Sequence, residues 1–450
     1  MSKPLTPPNT ADLLVALFEG ASAEDSSEKL QALIQAGRAE KAYRHWDVIS
    51  HMPPPDGLTH KEWWLGIKVV RQGDRRELPL KDPVGSFFTY GVPDLALELL
   101  HYIDQHAGGE VAMDEAVVED DAAKSQYLVN SLMEEAIRSS QLEGAVTSRA
   151  EAKEMIRSGR PARDRSEQMI LNNYRALEFM RDDVGDELNP DVVLRLHRVL
   201  TEGTLDDPDA AGRLQRPGDV RVKVWLADTV LHDPPPAEQL PARLEDMCRF
   251  ANGETGPEGF LHPVLRAVLL HFWLAYDHPF EDGNGRTARA LFYWSMRTQG
   301  YWATEYLSIS RILRERPSKY RKSFLYTETD ERDTTYFLLD QLGVIRRAID
   351  EFHSYIQRKI REVRAFDGAV RNLDGLNHRQ LALLRKAARS PIQQYTIRSH
   401  QKSHRTSHES ARGDLNRLRR LGFLDRRKVG KKFVFYPVAD LAQRLAAPPS

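Results

Sequence analysis

Cysteine is nearly absent from this sequence, with Cys248 as the one thiol among 450 residues. A single thiol excludes disulfides within the chain and zinc sites built from several thiolates. An excess of charge of one sign is also missing, because 64 Lys and Arg oppose 65 Asp and Glu. No whole-chain electrostatic field therefore steers the protein toward nucleic acid or membrane, and any basic surface must be local.

Long apolar runs are missing as well. The longest one, 267–276, is interrupted by His271 and falls far short of the roughly 20 residues that cross a bilayer. The first residues lack the basic-then-apolar pattern of a secretory signal peptide. We therefore expect no membrane-spanning helix, no membrane partner and a cytoplasmic location.

Hydrophobic periodicity is helical along nearly the whole chain, which predicts an all-α fold. Alternating β-type runs occur in only two places, a hairpin candidate at 220–232 and another near the C-terminus. A length of 450 residues favours two or three folded units. We predict an N-terminal helical module at 1–112, a central helical domain at 113–365 and a C-terminal domain at 373–450.

The segment 278–289 carries the strongest chemical signal. It reads His-Pro-Phe-Glu-Asp-Gly-Asn-Gly-Arg-Thr-Ala-Arg and joins a nearly continuous apolar helix pattern to a second, amphipathic one. Gly283 and Gly285 leave backbone N–H groups uncovered where the second helix begins, and the helix dipole favours anions there. Arg286 and Arg289 lie three residues apart on the first turn, so both guanidinium groups can hold phosphoryl oxygens.

Two further side chains complete a site for phosphoryl-type transfer. Asp282 supplies the single carboxylate with which proteins often hold a phosphate-bound Mg²⁺. The imidazole of His278 can accept a hydroxyl proton near neutral pH. Taken alone, a histidine after a helix is more often a cap or core residue, and a Gly-x-Gly is usually a turn. The complete set predicts group transfer from a nucleotide to a hydroxyl.

The same segment resembles the signature of the Fic (filamentation induced by cAMP) family, His-x-Phe-x-Asp/Glu-Gly-Asn-Gly-Arg-x-x-Arg, at every fixed position. The resemblance implies an adenylyltransferase that transfers AMP from Mg·ATP to a Ser, Thr or Tyr hydroxyl of a protein. It makes His278 the general base and Asp282 the Mg²⁺ ligand. It assigns nucleotide binding to Gly283, Asn284, Gly285, Arg286 and Arg289. Kinase-like members typically carry Lys at the second glycine, so Gly285 favours AMP transfer.

The hairpin candidate at 220–232 resembles the flap of Fic proteins. In the family the flap pairs with an extended segment of the target protein by strand addition. The alternative for this segment is an ordinary surface hairpin.

Residues 139–144 read Ser-Ser-Gln-Leu-Glu-Gly at the end of a predicted helix, 121–144. They resemble the inhibitory motif Ser/Thr-x-x-x-Glu-Gly/Asn of Fic proteins whose inhibitory helix precedes the catalytic core. A glutamate in the last turn of a helix is disfavoured by the helix dipole and gains from a cation elsewhere. The resemblance identifies that cation as Arg289, so that Glu143 autoinhibits AMP transfer while Ser139 helps to hold the helix. It leaves removal of AMP open as a second activity.

The C-terminal domain is basic, with 16 Lys and Arg against 3 acids between residues 379 and 432. Its pattern of helices followed by a hairpin predicts a winged helix-turn-helix. The elements are expected at 379–389, 396–402, 407–421 and 423–438. Thr406 and Glu409 have capping-box spacing at the start of the third helix. The side chains expected to contact DNA phosphates are Arg405, Arg412, Arg419, Arg420 and Lys431. The alternative is a surface for protein contact or simple solvation.

Two functions from different classes follow from these patterns. The leading one is an enzyme that uses ATP and Mg²⁺ to adenylylate a protein substrate. The alternative is a DNA-binding regulator whose Fic core mainly senses nucleotide. His278 favours the enzyme, because a sensor has no need of a general base. The expected partners are ATP, a protein with a hydroxyl side chain, DNA through the C-terminal domain, and a second copy of the chain.

Overall fold

The computed structural model describes residues 3–19, 23–108, 121–219, 224–226, 229–371, 375–389, 394–429, 432–438, 440–441 and 444. Helices dominate these residues, and the strands among them form three two-stranded antiparallel sheets. The predicted all-α fold is confirmed. Across these ranges, no helix is both long enough and apolar enough to cross a membrane.

The described chain divides into two compact units. The first unit is drawn from residues 1–113 and 120–352, and the second from residues 353–450. The finer division into domains at 1–112, 113–365 and 373–450 stays a prediction.

The N-terminal part of the first unit contains helices and one β-hairpin. Its elements are α1 (Thr10–Phe18), α2 (Ala23–Ala39), α3 (Trp46–Ile49), α4 (His60–Gln72), β1 (Arg76–Lys81), β2 (Phe87–Tyr90) and α5 (Asp94–Ala107). Helices α2 and α4 cross at two glycines, and a Cβ atom on Gly66 would lie 2.0 Å from the carbonyl oxygen of Leu33. Glycine at this position therefore lets the two backbones touch.

The expectation that β structure occurs in only two places is wrong, because β1 and β2 form a third hairpin. In β1 only Leu78 and Leu80 are buried. Pro79 between them cannot donate a ladder hydrogen bond, and proline in a run ordinarily argues against a strand. An edge strand with a short apolar alternation is therefore hard to identify from sequence.

Buried ion pairs fasten this part to the helices that follow. The Lys68 ammonium lies 2.6 Å from the Asp330 carboxylate, and both side chains are almost completely buried. Arg75 contacts Asp333 at 2.9 Å in the same way. Such pairs are costly to break because they would leave a buried charge without a partner.

The helices that carry the candidate site follow in the first unit. They are α6 (Asp121–Leu142), α7 (Arg149–Ser158), α8 (Arg165–Asp182), α9 (Pro190–Thr201), α10 (Leu240–Ala251), α11 (Pro263–Asp277), α12 (Asn284–Thr298), α13 (Ile309–Glu315), α14 (Pro317–Thr329) and α15 (Thr335–Arg371). Helix α11 is buried on nearly every face, as its apolar sequence predicts. It is a rigid support for the residues that come directly after it.

Strands β3 (Val224–Leu226) and β4 (Thr229–His232) form an antiparallel hairpin at the predicted place. Residues 220–223 and 227–228 of the predicted hairpin lie outside the described residues.

The second unit begins within α15, at residue 353, and the described residues after α15 form three short helices and a hairpin. They are α16 (His378–Arg389), α17 (Ile397–His404), α18 (His408–Arg420), β5 (Leu424–Val429) and β6 (Lys432–Pro437). The carboxylate of Asp414 on α18 is buried and accepts hydrogen bonds from Asn377, Gln380 and Arg379. This polar contact ties α18 to the start of α16.

The predicted capping box of Thr406 and Glu409 is wrong. Ser407 is the N-cap of α18, and its side chain accepts the backbone N–H of Ser410. Adjacent Thr and Ser residues are both good caps, so the sequence does not decide between them.

Candidate active site

The candidate site is the loop between α11 and α12. His278 ends α11 in the left-handed region, with φ of 46° and ψ of 53°, and its backbone N–H bonds to the carbonyl of Leu274. Left-handed backbone is unfavourable for a residue other than glycine. This conformation turns the chain sharply out of the buried helix, and the His278 side chain is left partly buried.

Phe280 and Asn284 close the loop. Phe280 is completely buried and so anchors the loop in the core. The Asn284 side chain accepts the Phe280 backbone N–H at 2.9 Å and donates to the Phe280 carbonyl at 2.8 Å. Both polar groups of this amide thus bond to the loop and hold it in one conformation, while the Asn284 backbone N–H at the start of α12 remains for an anion.

The N-terminus of α12 begins without a side-chain cap. Its N-cap is Gly283, with φ of 85° and no capping hydrogen bond. A Cβ atom there would lie 2.9 Å from Thr201 Cγ2, so both backbone conformation and space require glycine. The first amides of a helix have no intrahelical acceptor and attract anions. The helix N-terminus that was predicted to bind an anion is thus the start of α12, which follows His278 closely in the chain.

Asp282 is the predicted metal ligand, and its side chain is 44% exposed. One carboxylate oxygen accepts the Gly283 N–H at 2.6 Å, and the other lies 3.3 Å from Arg286 Nη2. No group of three or more His, Cys, Asp or Glu side chains that could hold a metal occurs among the described residues. An accessible single carboxylate fits Mg²⁺ bound jointly with phosphates, and not a cage made by protein alone.

Arg286 and Arg289 are completely buried. Arg286 donates to the Leu200 carbonyl at 3.1 Å, and burial lowers its pKa below the usual value. Arg286 Nε and Arg289 Nη1 are buried and have no hydrogen-bond partner within the part of the chain that the structure describes. Buried donors of this kind are costly unless a ligand satisfies them. Two such groups beside an uncapped helix N-terminus fit a phosphate-bearing ligand.

Glu143 and Ser139 occupy the other donors of Arg289. Arg289 Nη2 lies 2.8 Å from Glu143 Oε1 and 3.2 Å from the Ser139 carbonyl, while Nε donates to Ser139 Oγ at 2.9 Å. Burial opposes the charge of Arg289, but Glu143, with smaller contributions from Tyr320 and Glu135, outweighs burial and holds the Arg289 pKa above its usual value. The three residues predicted to interact are thus in contact. Helix α6 ends at Leu142, and Gly144 follows in the left-handed region.

Gly285 lies directly against this ion pair. A Cβ atom on Gly285 would lie 2.2 Å from Glu143 Oε1 and 3.0 Å from Arg289 Nη1. The second loop glycine therefore leaves room for the Glu143 carboxylate as well as for any ligand on the helix N-terminus.

Sequence reasoning missed two buried side chains around the site. Glu135, two turns before Glu143 on α6, accepts hydrogen bonds from Ser308 and Ser310 and so fixes α6 to the start of α13. His197 on α9 contacts the loop at Asp282. Burial lowers the His197 pKa to about 4. Each is a polar residue within the apolar stripe of its helix. This position was the signal in the sequence that could have indicated a role at the site.

The end of the β3–β4 hairpin is tied to α11 through His232. Its Nε2 atom lies 2.7 Å from the Tyr276 carbonyl, and Nδ1 lies 2.9 Å from the Glu328 carboxylate. Burial lowers the His232 pKa, but the Glu328 carboxylate, the Tyr276 carbonyl and Asp277 together outweigh burial and raise the pKa above the usual value. Both ring nitrogens face acceptors, which favours the doubly protonated ring. The hairpin is thereby anchored close to His278.

The residues predicted to contact DNA lie in the second unit. Arg412, Arg419 and Arg420 on α18 are exposed, and so is Arg405 directly after α17. Lys431 lies outside the described residues. The exposed arginines of α18 leave a positively charged helix surface available to an anionic partner.

Comparison with known proteins agrees with this geometry. Residues 187–296 match the family model described as the Fic/DOC family. The chain is 29% identical over 151 residues to protein adenylyltransferase fic-1 of Caenorhabditis elegans, which covers 33% of this chain and 27% of that protein. It is 31% identical over 125 residues to protein adenylyltransferase Fic of Nematostella vectensis, covering 27% of this chain and 26% of that protein. The match thus spans about a quarter of these curated relatives.

Among solved structures, the fold is similar to that of a Fic family protein from Desulfovibrio desulfuricans G20. The TM-score is 0.54 at 17% identity, and the alignment covers 80% of this chain and 99% of that chain.

The contact between Gly285 and Glu143 can be tested without any assay of function. We expect Gly285→Ala to lower the thermal unfolding midpoint, because the added Cβ meets the Glu143 carboxylate at 2.2 Å. In a Glu143→Ala background Gly285→Ala should lower the unfolding midpoint little, because the carboxylate that the Cβ meets is gone and alanine is favoured in helices. A coupling of about 1–3 kcal/mol between the two substitutions is expected from thermal or denaturant unfolding.

Gly343→Ala on α15 is the matched control, because nothing lies within 4 Å of the Cβ that it adds. It should not destabilise the protein in either background. Equal destabilisation by Gly285→Ala with and without Glu143 would contradict the contact.

Proposed function

Because this chain is a Fic family protein whose Fic domain includes residues 187–296, we propose that it is a protein adenylyltransferase. It transfers AMP from ATP to a Ser, Thr or Tyr hydroxyl of a protein substrate. The observation that supports this most strongly is one loop that joins His278 to an uncapped helix N-terminus with two buried arginines. Such a loop provides a base for the hydroxyl and a site for the phosphates within a few residues.

His278 takes the proton from the target hydroxyl as its oxygen forms a bond to the α-phosphorus of ATP. The bond between the α-phosphorus and the oxygen that bridges it to the β-phosphate breaks, and pyrophosphate leaves with the electron pair of that bond. The amides of Asn284 and Gly285 and the side chains of Arg286 and Arg289 stabilise the charge on the phosphates. The Gly283 N–H, also expected to bind phosphate, donates to the Asp282 carboxylate in this structure and must exchange that acceptor for a phosphate oxygen to take part. Asp282 would hold Mg²⁺, which when bound neutralises further phosphate charge.

Glu143 is the proposed inhibitor of this reaction. Its carboxylate occupies the Arg289 guanidinium at 2.8 Å, so ATP must compete with it for the same cation. Ser139 and Glu135 hold α6 in place through hydrogen bonds to Arg289 and to Ser308. In this conformation Arg289, the strongest expected partner of the γ-phosphate, is therefore already occupied by Glu143.

The β3–β4 hairpin is the proposed docking edge for the protein substrate. A short strand in a two-stranded sheet can pair with an extended segment through backbone hydrogen bonds, independent of its side chains. The anchor at His232 fixes this edge relative to α11, and the target hydroxyl must be presented to His278.

DNA binding by the second unit is the second proposed function. It is favoured by the exposed arginines of α18, namely Arg412, Arg419 and Arg420, which have the spacing of a basic helix surface. The order of three helices and a hairpin fits a winged helix-turn-helix, whose third helix enters the major groove.

The reaction type is tested with ATP labelled at either the α- or the γ-phosphate. We expect protein-bound label from α-labelled ATP alone. In a Glu143→Gly background, His278→Ala should reduce the labelling about hundredfold or more, because general base catalysis contributes factors of that size. Its ATP affinity should change little, because the phosphate-binding groups remain.

Label from γ-labelled ATP alone would instead indicate phosphate transfer. Tight ATP binding without protein labelling in the Glu143→Gly protein would favour the nucleotide-sensing regulator. Unchanged labelling by His278→Ala would remove that residue from the mechanism.

Release of inhibition is tested by Glu143→Gly, which removes the carboxylate and leaves Arg289 for the γ-phosphate. We expect ATP affinity and AMP incorporation to rise about tenfold, which corresponds to an ion pair worth about 1.4 kcal/mol. The double variant with Arg289→Ala should lose this gain, because the phosphate partner is gone.

Glu187→Gly is the matched control, since it removes a carboxylate from an exposed loop position. It should label like the wild type. If Glu143→Gly and the wild type incorporate equal AMP at subsaturating ATP, the ion pair does not inhibit.

DNA affinity is tested with a full-length triple variant, Arg412→Gln, Arg419→Gln and Arg420→Gln. We expect weaker binding and a shallower dependence on salt, because each lost phosphate contact removes about one unit from the salt slope. The control replaces three exposed arginines of the first unit, Arg314, Arg316 and Arg321, by glutamine. It removes the same charge and should bind DNA like the wild type. Equal losses in both triple variants would indicate a nonspecific charge effect.

A further inference from the structure

His197 lies on α9 and is completely buried. Its two ring nitrogens bond to the backbone of two separate segments. Nδ1 accepts the backbone N–H of Gly212 at 3.0 Å, and Nε2 lies 2.8 Å from the carbonyl oxygen of Asp282. The ring thus joins the turn after α9 to the loop that carries the candidate site.

These two contacts determine the protonation state of the ring. An amide N–H can only donate, so Nδ1 must be the unprotonated nitrogen. A carbonyl oxygen can only accept, so Nε2 must carry the hydrogen. His197 is therefore a neutral Nε2–H imidazole that donates to Asp282.

The face of the ring makes a further contact with the same loop. The His197 and Phe280 rings are stacked with centroids 3.8 Å apart and planes inclined by 5°. One turn further along α9, Thr201 Cγ2 would lie 2.9 Å from a Cβ on Gly283. Helix α9 therefore contacts the loop at Phe280, Asp282 and Gly283.

The hydrogen bond to Asp282 acts on the amide of the next residue. The carbonyl of Asp282 and the N–H of Gly283 belong to one planar peptide unit. A fixed carbonyl oxygen therefore fixes the direction of the Gly283 N–H and the plane from which the chain enters α12. It also fixes the Cα of Asp282, from which the carboxylate extends.

We propose that His197 is a positioning residue for the phosphate-binding loop. Through its Nε2–H it holds the Asp282–Gly283 peptide in the orientation that presents the first amides of α12 and the Asp282 carboxylate to the nucleotide. It touches neither ATP nor the reacting atoms. The role assigned here rests on the proposed function, because it assumes that the loop binds ATP.

Two variants separate this role from simple packing. The amide nitrogen of His197→Gln lies near the position of Nε2 and can still donate to Asp282. The amide oxygen of His197→Asn lies near Nδ1 and can still accept from Gly212, but its side chain does not reach Asp282. Both variants lose the stacked ring, so their thermal midpoints should fall by similar amounts.

The two readouts are nucleotide binding and hydrogen exchange of the loop amides. We expect His197→Asn to bind ATP at least about fivefold more weakly than His197→Gln, the size of one net hydrogen bond. Hydrogen exchange measured by mass spectrometry on peptides covering 280–289 should be faster in His197→Asn and close to wild type in His197→Gln. AMP transfer in the Glu143→Gly background should follow the same order.

Equal ATP affinity and equal exchange in the two variants would overturn the proposal and leave a packing role. Failure of the proposed function is a different result: no AMP transfer by the Glu143→Gly protein, whatever the order of the two variants in hydrogen exchange.

If neither variant folds, the wild type supplies the test by nitrogen NMR of the histidine-labelled chain. Phe280→Leu removes the stacked ring current and so identifies the His197 signal. A neutral Nε2–H tautomer is expected. An Nδ1–H tautomer or an imidazolium would overturn the proposal, because neither fits the donation to Asp282 with acceptance from Gly212.

Discussion

A guanidinium group that is completely buried needs an anion, and in this protein Arg289 has that requirement. Glu143 supplies the anion from a helix that is distant in sequence, and Ser139 from the same helix satisfies two further contacts. Removing one partner of a buried charge pair is strongly destabilising, whereas exchanging it for another anion is not. The position of α6, the need for glycine at Gly285 and the access of a phosphate to the loop all depend on this one charge.

The loop itself is held by contacts to its backbone. Asn284 bonds to both the N–H and the carbonyl of Phe280, and His197 bonds to the Asp282 carbonyl. Backbone bonds fix peptide planes, and peptide planes fix where amide donors point. Rigid donors bind a charged transition state without reorganisation. Under the proposed function, few catalytic side chains are needed, because main-chain groups that are held from outside the loop would do much of the binding.

Charge is distributed unevenly along the chain, although the total is close to zero. In the first unit, many charges are buried in pairs such as Lys68 with Asp330 and Arg75 with Asp333. In the second unit, the arginines of α18 are exposed. Buried pairs serve the architecture and are weakly sensitive to salt, whereas exposed charges act on partners and are screened. The same residue types therefore have different roles according to their burial, since Arg379 in the second unit also pairs with the buried Asp414.

The sequence by itself determined the helices and the loop chemistry, because both are encoded by residues close together in the chain. Apolar periodicity predicted the buried helix before His278, and it placed the helices of the second unit to within a few residues. The segment from His278 to Arg289 contains a contiguous motif. The β1–β2 hairpin and the Ser407 cap were missed or misassigned, since Pro79 obscures the first and two adjacent caps compete for the second. The contact of Ser139 and Glu143 with Arg289 was expected from the family resemblance, although 150 positions separate Ser139 from Arg289. Only the tertiary structure showed the contact of His197 with Asp282, which are 85 positions apart, because no local pattern specifies it. Such contacts follow from helix packing, which decides which buried donors and acceptors meet.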